Sequence, residues 1–155
     1  MTAPAPVTRG APTGTLLENG YQALITIGLD TDIDFWEKSV QPPSMDGGDS
    51  IDVTTQHNTT YRTRASSALV DLGETSHTVG NDPKIYDQIL SVINTATTIT
   101  VTFPDGSTLA YYGYLRTFEP SELSEGEFPE ASVTITPTNR DSTGAEESPV
   151  YTAPA

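Results

Sequence analysis

From Thr97 to Phe103 every second residue is a large hydrophobe (Ile99, Val101, Phe103), and the residues between them are threonines. Only an extended chain, whose side chains point to alternate faces, sorts such a run into one apolar face and one hydroxyl face. Pro104-Asp105-Gly106 then supplies a turn, and Ser107 to Phe118 returns as the second strand of a hairpin. The same period appears in Ile25, Ile27 and Leu29, and again in Ala131, Val133 and Ile135. From Asp30 to Trp36 it continues with acids and hydrophobes exchanging faces. Shorter strand signals cover Ile51–Thr55, Thr59–Arg64, 67–72 and 74–79. The expected fold is mainly β, a β-sandwich or small barrel, whose many threonines suit half-buried strands or strands covered later by a partner.

One segment breaks the period. Asp82 is a good helix N-cap, and Pro83 suits the first helical position, where its missing N–H costs nothing. Ile85, Ile89, Val92 and Ile93 follow at helical spacing with Leu90 flanking them, and Asn94 is a plausible stop. A single helix flanking the sheet is therefore expected. Between Ser39 and Ser50, Pro42, Pro43, Gly47 and Gly48 indicate a long loop. Residues 1–19 and 139–155 are small, Pro-rich or polar, and aperiodic, and they read as flexible arms around a domain at 20–138.

Composition narrows the function. Among 155 residues there are 21 acids and seven bases, a formal charge of −14, and no cysteine. Gripping nucleic acid requires a basic stripe, and binding anionic lipid requires basic clusters, so neither is expected. Disulfides, thiolate metal sites and a cysteine nucleophile are excluded. An N-terminus without an apolar signal core is read as cytoplasmic. The 35% hydrophobic content leaves a modest core, which burial against neighbouring subunits would support.

Three segments, in order, resemble the major tail tube proteins of siphovirus-type bacteriophages. The first is Pro42-Pro43-Ser44-Met45-Asp46-Gly47-Gly48-Asp49 running into Ile51–Asn58. The second runs from Asp82-Pro83-Lys84-Ile85 through the helix to Thr98–Ser107. The third is Tyr112-Gly113-Tyr114-Leu115 followed by Phe118-Glu119-Pro120, with Gly126-Glu127-Phe128-Pro129 and Val133–Thr138 completing the pattern. Each piece is common; their order over roughly residues 20–140 is more specific. The resemblance implies a β-sandwich with a flanking helix that forms hexameric rings sharing an inner β-barrel. The rings stack into a tube of the virion tail, assembled in the host cytoplasm, through which DNA and the tape-measure protein pass. Partners would be further copies of the chain, the tape-measure protein and the tail-tip and terminator proteins, with DNA a repelled cargo. No catalytic residue, metal or cofactor is implied. The resemblance makes the loop bearing Pro42, Pro43, Met45, Asp46, Gly47, Gly48, Asp49 and Asp52 an inter-ring contact. Alternating carboxylates at Asp30, Asp32 and Asp34 are candidates to line the lumen.

Other chemistry fits less well. Asp30, Asp32 and Asp34 imitate the start of an EF-hand, but the sixth and twelfth positions are Phe35 and Gln41 rather than Gly and Glu. Asp46, Asp49 and Asp52 with Gly47-Gly48 give only one copy of anything like a calcium repeat. His57 and His77 lack a Gly-x-Ser-x-Gly partner motif. Glu119, Glu122, Glu125, Glu127 and Glu130 offer a carboxylate pair for glycoside hydrolysis, though a solvated or lumen-facing acidic loop is simpler. Tyr111, Tyr112 and Tyr114 on both faces of one strand suit a core on one side and a neighbour on the other. The rival functions are a monomeric immunoglobulin-like binding or adhesion module and a carbohydrate-active enzyme.

Overall fold

The computed structural model describes residues 22–28 and 33–155. Its strands are β1 (Leu24–Ile27), β2 (Ile33–Asp34), β3 (Glu37–Ser39), β4 (Met45–Asp46), β5 (Ile51–Asp52), β6 (Arg64–Ala65), β7 (Asp71–Leu72), β8 (Thr75–Gly80), β9 (Thr97–Thr102), β10 (Thr108–Pro120), β11 (Glu130–Pro137) and β12 (Val150–Thr152). The helix α1 (Tyr86–Val92) lies between β8 and β9, entered through a 3-10 turn at Pro83–Ile85.

The main sheet runs β2-β1-β9-β10-β11-β8-β3, every pairing antiparallel. Its two edge strands, β2 and β3, are separated in sequence by Phe35 and Trp36 alone. That link spans at most about 11 Å, so the sheet has to curl until its edges approach each other. The result is a barrel-like wall wrapped around one core.

The alternation read from the sequence fills that core. Ile25 and Ile27 from β1, Ile99 and Val101 from β9, Tyr111 and Leu115 from β10, Val133 and Ile135 from β11 and Val79 from β8 all point inward and are buried. The threonines between them keep to the outer face. In β10 the inward set is odd-numbered up to Leu115; a bulge before Thr117 then shifts the parity, so Phe118 stands opposite Val133. The extra residue turns Arg116 outward, where its guanidinium holds the Glu74 carboxylate at 2.7 Å. Gly113 sits where β10 is flanked by Thr97 and Pro137, and a Cβ there would lie 2.8 Å from the Thr136 carbonyl oxygen. Only glycine permits that approach.

The hairpin of β9 and β10 turns as expected: the Asp105 carboxylate accepts from the Ser107 N–H and hydroxyl, and Gly106 takes φ +88°. The helix is also where the sequence puts it. Asp82 accepts from the Lys84 N–H, Ile89 and Val92 are buried, and Asn94 ends the segment at φ +60°. It is shorter than its apolar spacing suggests, because Ile93 already leaves helical geometry as the C-cap.

Elsewhere the elements differ in detail. Part of the expected loop at 39–50 is the strand β4, and the expected strand at Thr59–Arg64 is mostly bend and irregular backbone. The cause is Asn58, whose amide donates to the Tyr61 carbonyl and Thr63 hydroxyl while its oxygen accepts from the Thr55 N–H. This local network competes successfully with a ladder. Of the stretch 139–155, expected as an arm, Val150–Thr152 forms β12 and pairs with Thr108–Ala110, continuing along β10 where β11 has ended. The N-terminal arm at 1–19 lies outside the described residues.

Candidate assembly interface

One part of the chain takes no share in the barrel. Beyond β3 the backbone crosses back beside β8, with Gln41 donating its N–H to His77 Nδ1 and accepting from the Ser76 N–H. At Ser44 and Gly73, joined by a backbone hydrogen bond of 2.8 Å, it leaves as a two-stranded ribbon. Met45 and Asp46 pair with Leu72 and Asp71, Ile51 and Asp52 pair with Ala65 and Arg64, and Val53 bonds Thr63. Residues 45–56 could reach about 40 Å if fully extended.

This ribbon is almost wholly in solvent, yet it carries exposed Met45, Ile51, Val53, Tyr61, Leu69 and Val70. A two-stranded ribbon is marginal alone in water, and these hydrophobes give the projection an apolar surface that the subunit itself leaves uncovered.

The residues expected in the contact loop are divided by the fold. Met45, Asp46, Gly47, Gly48, Asp49 and Asp52 lie on the outgoing strand of the ribbon. Pro42 is exposed just before it, and Pro43 is buried within the subunit. Gly48 takes φ +75° and donates its N–H to Asp46, and Asp52 accepts from the Thr54 N–H; the Thr54 side chain first, and that N–H second, hold the Asp52 carboxyl below the usual carboxylate range. Asp46 and Asp52 thus have local turn roles. The residues expected in the contact lie only on the way out; the return strand, with Tyr61, Arg62, Arg64, Leu69 and Val70, belongs to the same projection and is not among them.

Of the proposed lining, Asp30 and Asp32 lie outside the described residues. Asp34 is on the outer face of β2, where it accepts from the Thr26 hydroxyl at 2.9 Å, flanked by buried Ile33 and Phe35. The rest of the outer face is mostly hydroxyl: Thr98, Thr100, Thr102, Thr134 and Thr136, with half-buried Tyr112 and Tyr114. Tyr111 faces the core, where burial pushes its hydroxyl up to about 12.

His57 is exposed at the ribbon tip. His77 is buried in β8: its Nδ1 accepts from Gln41, so Nε2 carries the proton shared with the Thr75 hydroxyl at 2.8 Å. Burial lowers its pKa from 6.5 to about 4. Because the folded state refuses a proton that the unfolded chain accepts below 6.5, stability is full above that pH and falls as the pH drops toward 4. The loss should approach about 2–3 kcal/mol. His77→Gln, which keeps an acceptor and a donor, should flatten the pH dependence of the urea midpoint over this window; an unchanged slope would assign it to other groups.

Of the five glutamates of 119–130, Glu122, Glu125 and Glu127 occupy the β10–β11 connection, Glu119 lies at the end of β10 and Glu130 opens β11. Glu130 pairs with Lys38, and the other four are exposed. Among the described residues no three His, Asp or Glu side chains converge on a metal-binding arrangement, and no helix is long and apolar enough to cross a membrane.

No family model matches the chain and no curated protein matches it. Solved structures do. A chain of the anti-feeding prophage (AFP) baseplate aligns over 90% of this chain and 97% of its own length, with TM-score 0.61 and 8% identity. A chain of the virion of a native gene transfer agent (GTA) particle aligns over 88% and 100%, with TM-score 0.62 and 14% identity. One from the tail of an empty GTA particle aligns over the same shares, with TM-score 0.60 and 13% identity. The chain thus shares its fold, across nearly its whole length, with components of a prophage baseplate and of gene transfer agent particles.

Proposed function

We propose that the chain is a structural subunit of a phage-type tail, of the siphovirus kind, whose copies form rings that stack into a tube for DNA. The observation that carries this reading is the exposed ribbon at 45–72, an apolar projection that the subunit cannot bury by itself. The shared fold supports it, since the matched chains come from assembled particles, one of them a tail with C6 symmetry. Six copies would bring a formal charge of roughly −84 to each ring, a wall to which phosphates do not adhere. Asp34, with Asp30 and Asp32 beside it in sequence, is the proposed contributor to that wall. The role is mechanical and needs no catalytic group. The tape-measure, tail-tip and terminator proteins are the proposed partners at the bore and the two ends.

An immunoglobulin-like monomer would leave the ribbon without a function. Negative-stain microscopy separates the readings. Concentrated protein, or protein co-expressed with tail-tip proteins, should form rings or tubes, and single particles under both conditions would overturn the proposal.

A further inference from the structure

The ribbon and a second exposed feature lie at opposite ends of the same strand. β8 runs from Thr75, beside which the ribbon leaves the barrel, to Gly80, about 17 Å away. At the Gly80 end, Trp36, Gly80, Pro83, Phe128 and Pro129 line a groove of about 390 Å³ whose surface is mainly apolar. Trp36 is 74% exposed and Phe128 67% exposed, although both are large aromatics. The groove is built rather than accidental. The Gly80 N–H bonds the Trp36 carbonyl at 2.6 Å, the Asn81 N–H bonds the Pro129 carbonyl, and Lys38 stands over the Phe128 ring at 5.5 Å.

Charge divides along the same axis. The β10–β11 loop beside the groove and the strand ends that flank it carry Glu119, Glu122, Glu125, Glu127 and Glu130, with no base among residues 119–130. Lys38 is engaged by Glu130, and Lys84 is the nearby cation on the turn before α1. At the ribbon tip, residues 54–64 contain Arg62 and Arg64 and no acid, in a chain with three times as many acids as bases; one acid, Asp52, faces Arg64 across the ribbon and stands 3.7 Å from Arg62, so the two arginines still leave a net positive tip. Beside Arg62 stands Tyr61, 83% exposed and fixed through its carbonyl by the Asn58 amide.

We infer that the Tyr61–Arg64 tip of one copy seats in the Trp36–Phe128 groove of the next copy along the tube axis, with Tyr61 against the aromatic walls and Arg62 and Arg64 on the glutamates. This rests on the proposed tail role and names the surface that receives the ribbon. Donor and receptor at opposite ends of one subunit make a heterologous contact that repeats without closing, as a stacked polymer requires. Aromatic anchors ringed by complementary charge are the usual composition of a strong contact.

The chain has no cysteine, so one engineered pair reports the seat directly. Full-length protein carrying Thr60→Cys and Pro129→Cys, which flank the anchor and the groove and leave Tyr61 and Phe128 in place, should when assembled and then oxidised run as a ladder of covalent oligomers on non-reducing gels. Reversing the tip (Arg62→Glu with Arg64→Glu) should cut sedimentable tubes at least about tenfold at low salt. Reversing the loop (Glu125→Arg with Glu127→Arg) should do the same, and combining the two reversals should restore tubes. Tubes without a ladder, or no rescue by the combined variant, would overturn the seat while leaving the tail role standing. Wild-type protein that never assembles would remove both.

Discussion

Deleting residues 45–72 and joining Ser44 to Gly73 through an Asn-Gly turn should leave a folded subunit that no longer forms tubes. Ser44 and Gly73 already share a backbone hydrogen bond, and a two-residue turn suits such a pair. Of the deleted residues only Leu72 is both hydrophobic and buried, so the barrel core stays nearly complete. The deletion removes a projection, not a layer. Circular dichroism should keep its β signature and urea unfolding its cooperativity, while sedimentation and microscopy find no tubes. Wild-type tubes from the shortened chain would eliminate the ribbon as an assembly element. An unfolded product would instead show that the ribbon stabilises the barrel, against its exposure in the free subunit.

How the sequence announced this fold is physical. Thr97–Phe103 and Ala131–Thr136 are half-buried strands, and the alternation that makes them half buried is visible in their letters. Asp82-Pro83 and Asn94 act through one residue's side chain or φ, so the helix ends were legible as well. Pairing over long separations was not. Nothing local says that Met45 meets Leu72, or that the strands on either side of Phe35-Trp36 lie at opposite edges of one sheet. That connection is what makes the sheet curl, and it depends on the whole topology. The site was half legible for the same reason. Proline and glycine marked the outgoing strand of the ribbon, but the return strand lacks such punctuation, and Val70 and Leu69 look like core residues until burial is known. The groove was hidden further, because Trp36 and Phe128 are 92 positions apart and meet only through the pairing of β3 and β11 with β8.

The helix offers the strongest test of the core. A seven-residue helix has no stability of its own in water, since nucleation costs more than two turns return. It persists because Ile89 and Val92 enter the core cluster beside β10, and because Tyr86 meets Phe118 edge-on at 5.8 Å. Ile89 is 5% exposed, so Ile89→Ala removes buried methyl groups from a wall that cannot collapse around the gap. The expected cost is about 2–5 kcal/mol in urea unfolding, enough to threaten a domain of this size. Leu90, one residue further and 75% exposed, is the internal control. Leu90→Ala should change stability by no more than about 0.5 kcal/mol. Equal effects at the two positions would mean that the helix presents a different face to the barrel. A large loss at Ile89 alone would tie the helix to the core, and tubes built from that variant should then dissolve at lower denaturant than the wild type.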